Sequence, residues 1–304
     1  MLRVYNHNMR SGFKAWDLWG VPLFVGTKRE IFPSETDSAS LRNFQPFWIA
    51  TVNPEHVMKA VEDKSYMELL NKTDINVMDG IGLLWAKALQ EKFQITKNNF
   101  SARGGLRFAS QTSSKKQFPN LQTILKKLWI GFWVGIEILG GKHREGLIAG
   151  SELMKEMIEE AGRTGKKVFL LGGWGDRAAV AARNFKFLIF NFKNNLKIET
   201  CAGEPVESNS MVIEKINKFQ PDYLFVAYGM KKQEEWILKN KDKLKVGMVM
   251  GVGRSFDYYS GDLKIAPKWV RRMGLEWLYS LIQEPKRWRR QLALVRFVGR
   301  VILS

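Results

Sequence analysis

The chain has 304 residues, 45% of them apolar and 26% charged, which is a globular composition and excludes a wholly disordered protein. The formal net charge is +18, and the single cysteine, Cys201, excludes a disulfide framework and favours a reducing intracellular setting. The three histidines are far apart in the sequence and lack cysteine partners, so we expect no zinc site.

No segment of the sequence predicts a membrane-spanning helix. Residues 1–7 lack the apolar core of a secretory signal. The longest apolar run, Leu128 to Leu139, has twelve residues and contains Glu137. Crossing a bilayer takes about 20 apolar residues. We therefore expect a protein that does not span the membrane.

Five short apolar runs end in small or polar residues, and most lead into a helix-like pattern. They cover residues 47–53, 75–80, 168–173, 223–229 and 246–253. Continuous apolar runs of this kind are typical of buried parallel strands that are joined by crossover helices. After the first run, Pro54 suits the first turn of a helix. The sequence therefore predicts an α/β fold with a Rossmann-like, mainly parallel sheet flanked by helices.

This topology predicts where a ligand binds. In open α/β sheets, ligands bind beyond the carboxyl ends of the strands. The residues at those predicted ends are Thr51, Asn53, Asp79, Gly80, Gly172, Gly173, Gly229, Gly251 and Gly253.

Four polar residues near these ends each allow two interpretations. Asp79 follows an apolar run and precedes Gly80, so it is either a general base at the sheet edge or the N-cap of the next helix. Gln233, Glu234 and Asp257 are either ligand contacts or residues in the first turn of a helix.

A glycine-rich turn raises a different hypothesis. Residues 173–178 match the dinucleotide fingerprint G-x-G-x-x-A, and Glu199 follows about 20 residues later. A nicotinamide-dependent oxidoreductase is therefore one alternative function. Such turns are also common without a ligand, so the motif alone supports only phosphate or nucleotide binding.

The positive charge is concentrated in two segments. Residues 91–145 carry a net charge of +7, and residues 263–304 carry +8. This pattern predicts an anionic partner, which is a lipid surface, a diphosphate or, in a second alternative, a nucleic acid. No nucleic-acid-binding module is recognised. The sequence predicts a helical stretch from Pro267 through Ile282 and a second, basic amphipathic helix after Pro285, which fits a membrane surface.

Two domains are expected, a core over 1–262 and a basic helical appendage over 263–304. An insertion at about 91–141 interrupts the α/β pattern, and its residues 103–117 are typical of a solvated loop. The insertion is either a hairpin or helix packed on the domain, or an interfacial anchor with Trp129 and Trp133 one turn apart.

Several ordered motifs together resemble one family. They are the segments 51–57, 79–82, 171–173, 221–224, 229–234, 255–257, 266–269, 274–279 and 284–287. They resemble the bacterial N-acetylmannosaminyltransferase family, the WecG/TagA/CpsF type, over roughly residues 18–90 and 146–304. Members of that family act in the synthesis of teichoic acid and other cell-surface polysaccharides.

The resemblance implies an inverting glycosyltransferase at the inner face of the cell membrane. It would move a sugar from a UDP donor to an undecaprenyl-diphosphate-linked sugar, without a metal or other cofactor. Asp79 would be the general base, and Arg287 and Arg290 would bind diphosphate. The donor site would contain Thr51, Asn53, Gln233 and Asp257, to which we add the strand-end glycines Gly172, Gly173 and Gly229.

The resemblance leaves some features of this chain distinct. This chain has Lys231 where the family usually has proline, and Arg254 where the family usually has glycine. It has Ile265 and Ser280 where the family usually has arginine. The expected partners are the UDP-sugar, the lipid-linked acceptor and an anionic membrane surface, with no nucleic acid. The sequence does not decide whether the chain forms a homo-oligomer.

Overall fold

A computed structural model describes residues 13–31, 45–102, 119–144, 146–189, 196–203 and 209–304. The described residues form two compact units. The first unit takes its residues from 1–79 and 145–265, and the second takes its residues from 80–144 and 266–304. The domain boundary at 262 stays a prediction, and residues 80–144 group with the C-terminal helices.

The first unit contains the eight described strands and most of the helices. Its strands are β1 (Ala15–Leu18), β2 (Val21–Phe24), β3 (Phe47–Val52), β4 (Ile75–Met78), β5 (Lys167–Gly172), β6 (Lys197–Cys201), β7 (Tyr223–Ala227) and β8 (Met248–Gly251). Its helices are α1 (Lys28–Ile31), α2 (Pro54–Glu62), α3 (Lys64–Asn71), α6 (Gly150–Thr164), α7 (Arg177–Ile189), α8 (Asn209–Phe219), α9 (Lys232–Asn240) and α10 (Ser255–Ser260).

Six of these strands form one sheet in the order β4-β3-β8-β7-β5-β6, and every described pairing in it is parallel. This confirms the predicted α/β fold, and all five apolar runs form strands. The sequence did not predict the β1–β2 hairpin or β6. Edge strand β6 pairs only with β5 and is partly exposed, so it lacks the continuous apolar run of a buried strand.

Alternate residues of the strands build two apolar layers. On one face, Ile49, Leu170 and Met250 pack against α6, α7 and α10. On the other face, Trp48, Phe169 and further strand residues pack against α8 and α9. This alternation follows from the two-residue period of a strand, and burial on both faces explains why the runs are continuously apolar.

The strand pairing brings the carboxyl ends together. Val52 of β3 lies opposite Met78 of β4, and Gly251 of β8 lies opposite both Ala50 and Val226. The turns that follow β3, β4, β5, β7 and β8 therefore leave the same edge of the sheet.

The second unit is helical. Its elements are α4 (Ile81–Ala102), α5 (Leu121–Leu139), α11 (Lys268–Arg272), α12 (Glu276–Gln283), α13 (Trp288–Leu303) and a 3₁₀ turn over Pro285–Arg287. The helical stretch predicted from 267 to 282 is interrupted at Gly274, whose φ of +68° belongs to the left-handed region that favours glycine. The predicted loop at 103–117 lies outside the described residues.

The two units differ in charge. The first unit has a net charge of +2, and the second has a net charge of +16. Within the described part of the chain, none of the helices combines the length and apolar character that a bilayer crossing needs.

Candidate functional site

Asp79, Thr51 and Gly150 meet at the carboxyl edge of the sheet. A β-carbon at Gly150 would lie 2.6 Å from Thr51 Cγ2 and 3.4 Å from Asp79 Oδ2. Thr51 ends β3, Asp79 follows β4, and Gly150 opens α6. The absence of a side chain at Gly150 is therefore what allows the other two residues to share this space.

Asp79 has the environment of a base. It is partly exposed, and burial raises the pKa of its carboxyl group to about 6, with a smaller contribution from the charge of Glu152. A hydrogen bond from the backbone N–H of Gly150 acts in the opposite direction. The Asp79 carboxylate thus accepts its hydrogen bond from the start of α6. At the start of α4, the backbone N–H of Leu83 donates to the carbonyl of Gly80, so this contact does not support Asp79 as the N-cap of α4. Such a group is ionised near neutral pH and can still accept a proton.

Asn53 is the N-cap of α2. Its Oδ1 accepts hydrogen bonds from the backbone N–H of His56 at 3.1 Å and from His56 Nδ1 at 2.7 Å. Burial lowers the pKa of His56 to about 4, so the ring is neutral. Because both contacts use the oxygen, the amide nitrogen of Asn53 is the group left to donate to a ligand. Asn53 can therefore serve both as a cap and as a binding residue.

Gln233 connects two strand ends. It is buried in the first turn of α9, and its Oε1 accepts a hydrogen bond of 2.9 Å from the backbone N–H of Gly253. A β-carbon at Gly251 would lie 2.7 Å from Gln233 Nε2. Thr51 Oγ1 donates to Gly251 O at 3.2 Å, so Gly251 links Gln233 to Thr51. Gln233 thus holds a backbone turn of the site.

Glu234 lies beside Gln233 and is almost completely buried. It accepts hydrogen bonds from Gln233 Nε2 and from the backbone N–H of Lys231. Burial raises the pKa of Glu234 to about 7. The contact with Lys231 caps α9, which supports the helix-start interpretation for this residue.

Glycine turns follow β5 and β7. Gly172, Gly173 and Gly229 all have positive φ values, between +79° and +90°. A β-carbon at Gly172 would lie 2.8 Å from the Tyr228 ring, and one at Gly173 would lie 3.1 Å from Phe256. Glycine is required at Gly172 by conformation and by space together, so a structural role is sufficient to explain it.

Asp257 is held by two arginines. Arg177 Nη1 donates to its Oδ1 at 2.7 Å, and Arg254 Nε donates to its Oδ2 at 2.9 Å. Arg177 Nε also lies 3.1 Å from Asp262 Oδ2. The buried carboxylate of Asp257 is thus neutralised, and it orients two guanidinium groups beside the turn after β5.

The dinucleotide hypothesis is not supported. Glu199 pairs with Phe169 in the middle of β5, whereas Gly172 ends that strand. An acid that binds ribose would have to stand at the carboxyl edge. In addition, Arg177, inside the fingerprint, holds Asp257.

The two arginines predicted to bind diphosphate do not lie at the strand ends of the first unit. Arg287 ends the 3₁₀ turn and Arg290 lies exposed in α13, both in the second unit. Lys231 Nζ forms an ion pair of 2.7 Å with Asp63, which lowers the pKa of that carboxyl group. Lys231 has a φ of +71°, which a proline could not adopt.

Two residues of this edge were not predicted from the sequence. Gly150 was not singled out, although a glycine that opens an amphipathic helix after an apolar stretch is a visible signal. Arg177 was seen only as part of the fingerprint, because its carboxylate partners lie 80 and 85 positions later. Among the described residues, no group of three or more His, Cys, Asp and Glu could hold a metal ion.

One protein family and several relatives match the sequence of this chain. The model of the family described as "Glycosyl transferase WecG/TagA/CpsF family" matches residues 16–101 and 130–304. Three relatives are named N-acetylglucosaminyldiphosphoundecaprenol N-acetyl-beta-D-mannosaminyltransferase. The Bacillus subtilis (strain 168) protein is 27% identical over 84% of this chain and 78% of its own length.

The other two relatives match over more of the chain. The protein of Bacillus spizizenii is 26% identical over 92% of this chain and 88% of its own length. The protein of Staphylococcus aureus (strain MW2) is 27% identical over 91% and 88%. With the family model covering most of the sequence, neither the oxidoreductase nor the nucleic-acid-binding alternative is favoured. The chain therefore belongs to the WecG/TagA/CpsF family of glycosyl transferases.

Proposed function

We propose that this glycosyltransferase moves N-acetylmannosamine, or a related hexose, from a UDP donor to a sugar linked to undecaprenyl diphosphate. The observation that carries the proposal is the juxtaposition of Asp79, Thr51 and Gly150 at the carboxyl edge of the sheet. The names of the relatives support N-acetylglucosamine as the acceptor sugar and N-acetylmannosamine as the transferred sugar.

Asp79 is the proposed general base. It removes the proton from the acceptor hydroxyl while that oxygen attacks the anomeric carbon of the donor sugar. The new C–O bond forms on the face opposite the leaving group, the bond to the diphosphate breaks, and UDP departs with the electron pair. Because UDP is already a good leaving group, one base is sufficient, and the raised pKa of Asp79 suits the task.

The donor would bind along the strand ends of the first unit. The amide nitrogen of Asn53 is available to donate a hydrogen bond, and Thr51 lies next to Asp79. Gln233 and the glycine turns at Gly172, Gly173 and Gly229 would shape the pocket. Asp257 would position the guanidinium groups of Arg177 and Arg254 as hydrogen-bond donors to a diphosphate, while Asp257 and Asp262 balance their charges.

The acceptor would be held by the basic second unit. Arg287 and Arg290 are the proposed diphosphate-binding residues, since guanidinium groups stay ionised and bind phosphate through two parallel hydrogen bonds. The high positive charge of the unit also supports peripheral association with the anionic inner face of the cell membrane. The reaction needs no metal in this proposal, because protein cations would neutralise the developing charge.

A panel of radiolabelled UDP-sugars tests the proposal. Each would be incubated with a short-chain prenyl-diphosphate-linked N-acetylglucosamine, and the linkage of the product would be determined. We expect transfer from UDP-N-acetylmannosamine, or from a related UDP-hexose, with inversion at the anomeric carbon. Transfer from none of the UDP-sugars, or retention of configuration, would refute it.

A further inference from the structure

Helix α5, which lies outside the carboxyl edge of the sheet, has apolar side chains on two sides of its surface. One side packs on α4: the carbonyl of Gly131 accepts a hydrogen bond of 2.8 Å from Trp85 Nε1, and Val134 and Ile138 are buried. A β-carbon at Gly131 would lie 2.9 Å from the Trp85 ring. Helix α5 also contacts α13, and the side chains on the side of α5 that faces away from α4 are exposed.

The uncovered side is a continuous stripe. Its members, all exposed, are Leu121, Leu125, Leu128, Trp129, Phe132, Trp133, Ile136 and Leu139. Their spacing of three and four residues places them on one side of the helix. Trp129 and Phe132 are 64% and 61% exposed, and both Trp129 and Phe132 make edge-to-face contacts with Trp133 at 5.8 Å. We call these eight residues the α5 stripe.

The single acid of α5 does not interrupt the stripe. Glu137 forms an ion pair with Lys92 of α4 and accepts a hydrogen bond of 2.9 Å from His143 Nε2. These partners lower the pKa of Glu137 to about 2, so its charge is matched within the unit. Lys126 near the start of α5 and Lys142 beyond its end are both exposed. The α5 stripe is therefore apolar along its length and has cations near both ends.

We propose that the α5 stripe inserts into the interfacial layer of an anionic bilayer, with α5 lying parallel to the membrane plane. Aromatic residues favour the boundary between headgroups and acyl chains, and exposed lysines contact anionic headgroups. The family model does not match residues 102–129, which include the first half of α5. The first half of the stripe therefore lies outside the family model, and the proposed membrane contact does not depend on the transfer reaction.

Charge selects a bilayer over a second copy of the chain. The unit that contains α5 has a net charge of +16, so two copies facing each other through this unit would repel. An anionic surface gains from the same charge. The proposal therefore commits to lipid.

The first test is sedimentation with vesicles of phosphatidylcholine containing about one-third phosphatidylglycerol. The variant Trp129→Ser/Phe132→Ser/Trp133→Ser should lose at least about tenfold in partitioning, because the buried apolar area sets the binding strength. A matched control, Phe187→Ser/Leu188→Ser/Met211→Ser, removes exposed apolar side chains from α7 and α8 and should partition like the wild type. Equal partitioning of both variants and the wild type would overturn the proposal.

The second test remains decisive if the triple variant does not fold. The chain has one cysteine, so Cys201→Ser allows a single label at Trp133→Cys or, as the control, at Phe187→Cys. An environment-sensitive fluorophore at 133 should shift to the blue with anionic vesicles and be quenched by brominated acyl chains, whereas the label at 187 should not change. No change at 133 would overturn the proposal. So would a blue shift at 133 on concentrating the protein without lipid, since that indicates a second copy.

Discussion

The carboxyl edge of the sheet in the first unit differs in packing from the exposed helix faces of the second unit. In the first unit, Gly150, Gly172 and Gly251 lie where a β-carbon would meet neighbouring atoms at 2.6–2.8 Å, so backbones and polar side chains converge at one sheet edge. In the second unit, Gly131 and Gly274 are also closely packed, but Gly135 and Gly299 face open space, and large apolar residues of α5 and α13 are exposed. The first arrangement is typical of a built reaction site, and the second is typical of a docking surface.

Replacing the base should have the largest effect. Asp79→Asn removes the proton acceptor but keeps the size of the side chain, so turnover should fall by about 10²–10⁴-fold while UDP binding persists. The measurement is initial rate with the lipid-linked acceptor, together with the thermal shift produced by UDP. Glu68→Gln, an exposed change in α3, is the control. Near-normal turnover of Asp79→Asn would remove Asp79 from the mechanism.

Adding one carbon at Gly150, beside Thr51 and Asp79, should have the next largest effect on activity. Gly150→Ala pushes a methyl group onto Thr51, and overpacking of this kind costs about 1–3 kcal/mol. We expect lower activity and a lower free energy of unfolding in urea. The matched change in the second unit, Gly135→Ala, meets nothing within 4 Å in a helix and should stabilise it by about 0.5–1 kcal/mol. The same sign for both variants would contradict the contrast between the units.

The raised pKa of Asp79 predicts a smaller, pH-dependent change in stability. Its carboxyl pKa is about 6 in the folded state against an ordinary 3.8, so ionisation at pH 8 costs the folded state free energy. Asp79→Asn should therefore raise the thermal midpoint at pH 8 by about 2–4 °C, which corresponds to roughly 1 kcal/mol.

This gain should decrease as the pH falls below about 6, where folded Asp79 becomes protonated. It should disappear below about 4, where the unfolded chain is protonated too. A gain that does not vary between pH 5 and pH 8 would show that burial does not perturb this carboxyl group.

Removing metal ions should have the smallest effect. If arginines neutralise the departing UDP, chelation with EDTA should leave the transfer rate unchanged within about twofold, because the proposed positive charge belongs to the protein. The control is restoration with Mg²⁺ or Mn²⁺ after chelation. A large loss that either ion restores would show that the donor diphosphate needs a divalent cation.

The predicted helix positions illustrate how local signals succeed and fail. Pro54 marks the start of α2 because proline suits the first turn of a helix, and this boundary is confirmed. The prediction of one continuous helix from 267 to 282 was wrong, because Gly274 takes a left-handed conformation that divides α11 from α12. A glycine within an apolar pattern does not by itself indicate which conformation it adopts.

The amino-acid sequence by itself determined the parallel sheet, the set of strand ends and the family. Runs of apolar residues, and motifs in a fixed order, are local properties that survive without coordinates. Only the tertiary structure decided that Gly150 borders Asp79 and Thr51, that Asp257 pairs with two arginines, and that α5 keeps one apolar side exposed. These facts depend on which distant segments pack together, and the spacing of residues along a chain does not specify that packing.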